Sequence, residues 1–187
     1  MRDTRQIWLT MLALLATTAL VLWWMGRTPL CSCGEFRLWP AAGARAEYSQ
    51  QLTDWYTLSH LIHGFLLYGA LWLWAGGIAL HWRMVIAATI EAAWELFENS
   101  SVVIDHYRAA EVMLGAQGDS VVNSLADIVT TIAGFALAQR LPVRSVVALA
   151  LALELLAAWA MRDGLVLIVL QRVWPTEAIS AWQAGLG

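Results

Sequence analysis

The chain has 187 residues, 60% hydrophobic and only 13% charged, with a formal net charge of -3 and a mean hydropathy of +0.61. An ordinary soluble domain carries about 45 to 50% apolar and roughly 25% charged residues, so a water-soluble globular protein is excluded, as are disordered, collagen-like and coiled-coil chains. All eleven basic residues are arginines scattered singly between apolar segments, which leaves no basic stripe for nucleic acid.

The first apolar run, Ile7 to Trp24, is 18 uncharged residues bounded by Arg5 and Arg27, the length of a membrane-spanning helix. A cleaved signal peptide would show an apolar stretch of about 7 to 15 residues and a small-x-small cleavage site. The segment "LWWMGRTPL" offers no such site, so the run is read as a retained anchor. Residues 25–53, with Gly34, Gly43, Pro29 and Pro40, form a polar cap loop outside the membrane. Within it, Cys31 and Cys33 are spaced as a disulfide, as half of a metal site or as two plain thiols.

Further spans are expected over residues 55–80, 84–98 and 121–141, and the short "HWR" connection makes the first two of these an antiparallel hairpin. Residues 99–118 are too mixed to span, and Val102, Val103, Ile104, Val112, Met113 and Leu114 suggest short interfacial or re-entrant pieces. A fifth span fits residues 145–161, between "LPVR" and "RDG". Leu165 to Trp174 is ten residues, about 15 Å as a helix against a hydrocarbon core of about 30 Å, so residues 165–182 read as a half-span or interfacial helix. Trp8, Trp23, Trp24, Trp55, Trp82, Trp159 and Trp174 lie near run ends, as in an interfacial aromatic belt. The expected fold is therefore all-α: one integral membrane helical bundle of about five transmembrane helices plus the C-terminal piece. Arg2, Arg5, Arg83, Arg140, Arg144 and Arg172 against Arg27, Arg37, Arg45, Arg108 and Arg162 weigh slightly for a cytoplasmic N-terminus.

Ionisable groups inside spans cost a few kcal/mol each, which makes them functional candidates. Here they are grouped. "DWYTLSHLIHGF" places His60 and His63 on one helix face near the start of the second span. "IEAAWELFENS" places Glu91, Glu95 and Glu98 on one face at the end of the third, and "GDSVVNSLADI" places Asp119, Asn123 and Asp127 on one face at the start of the fourth. With alternating span directions, all three sets fall near the same membrane face, and Glu154 of the fifth span is expected to join them. Glu91 lies roughly 10 Å deeper than Glu98, and Asp127 roughly 12 Å deeper than Asp119.

Such a pocket could hold one or two divalent cations (Zn, Mn, Fe or Mg), with His60, His63, Glu91, Glu95, Glu98 and Asp127 as ligands. The ion would neutralise charge in a low-dielectric site and activate water or polarise a phosphoryl oxygen, with Glu95 and Asp119 as catalytic groups. Arg108 and Asn123 would then bind the substrate, a lipid-linked phosphate or ester at the bilayer surface, with Arg108 holding its anionic headgroup. Plainer roles fit the same residues: Asp119 as a helix N-cap, Glu98 as a solvated end group, the cluster as a protonated hydrogen-bonded network, and Gly64, Gly69, Gly76, Gly77 and Gly134 as helix-packing positions. Ser59, Ser100, Ser120 and Ser124 lie nearby, but nothing in their spacing selects a nucleophile.

The segments "DWYTLSHLIHG", "EAAWELFENS", "GDSVVNSLADI", "PTEAISAWQ" and "CSCGEFRLW" resemble uncharacterised protein family 0314, bacterial multi-pass membrane proteins, over nearly the whole chain. That resemblance implies no particular activity. More remotely, Asp54 with His60, then Glu98, Arg108, Asp119 and Asn123 resemble the core pattern of VanZ-like proteins, although Trp55 stands where that pattern has a lysine. The remoter likeness implies cell-envelope or glycopeptide-related biology. Three functions are thus open: a metal-dependent membrane enzyme, an accessory or assembly subunit bound to a membrane-protein partner, and an ion-coupled transporter.

Overall fold

A computed structural model describes residues 2–40, 47–109 and 118–184, without side-chain detail at 2, 3 and 106–109. Regular structure in these residues is helical: α1 (Arg2–Trp24), α2 (Thr57–Trp74), α3 (Leu80–Glu98), α4 (Ser101–Ala109), α5 (Val121–Arg140), α6 (Val143–Met161), α7 (Leu165–Val173) and α8 (Glu177–Ala184). Three of these, α1 over Thr4–Trp24, α5 and α6, are long and apolar enough to cross a membrane. Helices α2 and α3 are of comparable length, 18 and 19 residues. Their hydropathy is lowered by the groups they turn inward, two histidines on α2 and three glutamates on α3.

Helix α5 is the shared wall of the bundle. On one side, Ile128 packs with Met11 of α1 and Val85, Ala88 and Ala92 of α3. On the other, Ala138 packs with Ile62 and Phe65 of α2, backed by Val146 and Leu149 of α6. The outer surface is apolar, with Trp8, Leu12, Leu151, Leu155 and Trp159 all exposed, as expected of side chains that meet lipid rather than water.

Two glycines let α2 and α5 touch main chain to main chain. A Cβ added at Gly64 would collide with the Thr131 carbonyl oxygen and the Phe135 amide, and one at Gly134 with the Leu61 carbonyl oxygen. Gly69 and Gly77 face open space instead, and Gly76 meets only its own preceding turn, so the packing role expected for all five glycines holds at two. Gly76 and Gly77 serve to end α2. The helix stops at Trp74 rather than continuing to Leu80, because glycine forfeits backbone entropy in a helix, and the hairpin turn therefore falls at Ala75–Ala79.

The starts of α2 and α5 and the ends of α1, α3 and α6 share one face, knitted by hydrogen bonds across the chain. The Val121 and Val122 amides donate to the Thr28 and Pro29 carbonyls, the Ser120 amide donates to Ser49 O, and the Tyr56 hydroxyl donates to Asp163. Ser120, not Asp119, caps α5: its Oγ accepts from the Asn123 amide at 3.2 Å and donates to Gln50 O at 3.0 Å. Ser120→Ala should cost about 1 kcal/mol through the lost cap alone, read as a lowered melting temperature in detergent. A variant that melts with wild type would remove the cap from the account.

The C-terminal pair also returns to this face. Arg162, in the left-handed conformation at φ 55°, ends α6, and its guanidinium donates to Trp182 O at 2.7 Å while Asp163 accepts from Gln183 at 3.3 Å. Glu154 does not enter the pocket. Its two carboxylate oxygens accept the Leu165 and Val166 amides at 3.2 and 3.1 Å, because the start of α7 leaves orphan amides that a carboxylate can cap. Arg172, assigned from sequence to the opposite face, instead lines a cavity of about 270 Å³ with Phe97, Val102 and Val103 at the end of α3 and start of α4. The piece over residues 165–182 is thus two short helices.

Candidate functional site

Each set of polar residues sits where a helix begins or ends near this face, and burial separates them. Glu95 is 0% exposed, Glu91 2%, Asp127 3% and His60 7%. His60 stands at the centre. Its Nδ1 lies 2.5 Å from Glu91 Oε1 and 3.5 Å from Glu95 Oε1, and its Nε2 lies 3.8 Å from Asp127 Oδ2. His63, one helical turn on, places Nδ1 3.0 and 3.2 Å from the two Glu91 oxygens.

Neighbouring hydroxyls fix these groups. Thr57 Oγ1 donates to Asp127 Oδ1 at 2.9 Å, and Thr131 Oγ1 donates to the His60 carbonyl at 2.9 Å, which pins α2 to α5 beside the imidazole. Asp54 holds the start of α2 by accepting the Tyr56 and Thr57 amides at 2.7 and 3.2 Å, and it also accepts the Ser49 amide. Burial pushes the Asp54 carboxyl above its usual range, against the lowering effect of those amides. Asp54→Ala would leave three amides without their acceptor; a loss of about 2 kcal/mol is expected, the upper range for a helix-start acceptor, checked by chemical denaturation in detergent.

Two triads are close enough to chelate a cation: His60, His63 and Glu91, and His60, Glu95 and Asp127, each with ligand atoms within 4.8 Å of one another. The second contains an anomaly. Both Glu95 oxygens are buried without a hydrogen-bond partner, as are Ser59 Oγ and Asn123 Nδ2 close by in the fold. A buried carboxylate with nothing to bind costs several kcal/mol, so a donor set of this kind fits a divalent cation that satisfies Glu95 directly.

The other expected site residues lie above this layer. Asp119, half-buried, forms a two-point contact with Asn99: Asn99 Nδ2 donates to Asp119 Oδ2, and the Asp119 amide donates to Asn99 Oδ1, both at 2.7 Å. Burial raises the Asp119 carboxyl, opposed by the Asn99 contact. Glu98 is half-buried in the last turn of α3 and belongs to neither triad. Asn123 lies one turn before Asp127 on α5, while the Arg108 side chain and residues 112–114 lie outside the described residues. Of the four serines, Ser120 is the cap of α5, and among the described residues none is hydrogen-bonded to His60 or His63.

Thr57, Asn99 and Thr131 escaped sequence reasoning. Thr57 precedes His60 by three and Thr131 follows Asp127 by four, so the helical spacing that gathered the acids would have gathered the hydroxyls too. Asn99 carries no comparable signal, since its partner Asp119 is twenty residues away.

An all-helical membrane bundle with a buried imidazole and carboxylate cluster beneath one face is the class of protein these observations define. The chain belongs to the family described as "Protein of unknown function (DUF2585)", which matches residues 22–185. It is similar to a UPF0314 protein of Paracoccus denitrificans, 46% identical over 99% of this chain and 95% of the relative. A UPF0314 protein of Novosphingobium aromaticivorans is 48% identical over 89% of this chain and 86% of its own length. One from Rhizobium meliloti is 46% identical over 96% and 92%. No solved structure matches the chain.

Proposed function

We propose that this protein is a membrane metalloenzyme that binds a divalent cation through His60, Glu95 and Asp127, with His63 and Glu91 as the flanking set, and acts on a lipid-linked or amphipathic substrate. The observation that carries the reading is Glu95, a fully buried carboxylate whose two oxygens have no hydrogen-bond partner and which lies within ligand distance of His60 and Asp127. The cation, when bound, would polarise a phosphoryl or ester oxygen or activate water. Thr57 orients Asp127, and Glu91 orients both imidazoles.

 

Glu95 would hold the cation through one oxygen and take a proton with the other, since among the described acids of the two triads it alone has both oxygens without a hydrogen bond. Asp119 and Asn123, nearer the membrane face, would meet the substrate's polar part, and Glu98 and Arg108 would complete that entrance. We further assign the protein to a bacterial inner membrane with its N-terminus in the cytoplasm. With Arg172 at the other face the arginines divide five against six, so the orientation draws on Arg2 and Arg5 directly before the first span and on Arg140 and Arg144 in the short turn between α5 and α6.

Elemental analysis of detergent-purified protein tests the reading, with a His60→Ala, Glu95→Ala double variant beside the wild type. Stoichiometric metal in the wild type and none in the variant is the expected result, and wild type without bound metal would overturn it. A second reading, an accessory subunit with a structural polar network, draws on Glu91, whose carboxylate is already bonded to two imidazoles. It is favoured if both proteins are metal-free and the double variant melts lower than wild type.

A further inference from the structure

The cap loop carries a second chemistry, independent of the cation. Cys31 and Cys33 are joined by a disulfide, and their environments are unequal. Cys31 is buried, whereas Cys33 is exposed. The Cys33 amide donates to Cys31 Sγ at 3.2 Å, and the Gln51 side-chain amide donates to Cys33 Sγ at 3.4 Å. The Glu35 carbonyl oxygen lies 3.3 Å from Cys33 Sγ, where it would accept the hydrogen of a Cys33 thiol. Each sulfur therefore already has a partner for its reduced form.

A bridge between residues two apart closes about the smallest loop a disulfide can, and the chain-entropy gain of a disulfide shrinks with loop length. The loop is instead held by side chains: Gln50 accepts from the Ser32 amide at 3.4 Å and donates to Gly118 O at 2.6 Å, and Gln51 accepts from the Arg37 amide at 2.7 Å. Both glutamines are buried. The bridge is thus not what keeps the loop in place.

We propose that Cys31 and Cys33 form a redox-active pair that exchanges with a dithiol at the face above the polar cluster. A thiolate of the donor attacks the exposed Cys33 Sγ, the S–S bond breaks, and its electron pair leaves on Cys31 Sγ, which the Cys33 amide stabilises. The donor's second thiolate then attacks its own sulfur in the mixed disulfide and releases Cys33 as a thiolate. Two electrons and two protons pass from the dithiol to the pair, and the donor departs as a disulfide.

The test uses the full chain in detergent with dithiothreitol as the donor, followed by alkylation and mass measurement. Both cysteines should become alkylated without denaturant. In glutathione disulfide, Cys31→Ser should gain a glutathione adduct at the exposed Cys33, and Cys33→Ser should gain none at the buried Cys31. Sulfurs that stay unreduced until the protein is denatured would overturn the proposal, as would equal adducts on the two variants. The wild-type reduction stands on its own if either variant fails to fold.

Discussion

Gly64→Ala should destabilise the bundle by about 3 kcal/mol, the upper end of the cost of overpacking a tight interior. The added methyl group would meet the Thr131 carbonyl oxygen and the Phe135 amide, and main chain cannot step aside as the tip of a flexible side chain can. Helices α2 and α5 would have to part. The contacts between them include Thr131 Oγ1 to the His60 carbonyl and Thr57 Oγ1 to Asp127, so the polar cluster should loosen with the packing. Gly69→Ala is the control, since nothing lies within 4 Å of its added Cβ, and it should be neutral or stabilising by up to about 1 kcal/mol through helix propensity. Denaturant titration of both variants in one detergent decides the matter; equal midpoints would mean that the close crossing is not limiting.

The second large effect concerns two glutamates one turn apart on α3. Glu91→Ala removes the carboxylate that both His60 and His63 face, and breaking a buried pair of this kind costs about 3 to 5 kcal/mol. That loss should appear with or without added metal. Glu95→Gln should behave otherwise. Its carboxylate has no hydrogen-bond partner, so in chelator-treated protein the amide should be neutral or stabilising, whereas added divalent metal should raise the melting temperature of wild type and leave the variant unmoved. Two variants with the same profile would contradict the different environments of the two carboxylates.

Much of this was legible in the sequence because it depends on period and composition. Apolar runs announced α1, α5 and α6, and spacings of three and four put His60 with His63 and Glu91 with Glu95 on common faces. What stayed hidden depends on where the chain turns back. Glu154 lies within an apolar span and reads as a pocket acid, yet the start of α7 folds against it and takes both its oxygens. Arg172 changes face for the same reason. Asp119 and Ser120 are both good caps by residue type, and only the docking of the 49–50 segment on the start of α5 selects Ser120.

The gathering of the loop, the short helices and the polar cluster at one face makes the molecule lopsided across the bilayer. The buried interior of its other half is lined by apolar groups such as Met11, Val85, Ala88, Phe135 and Ala138. On the proposed function, a lipid would therefore meet the cluster from the leaflet on that side.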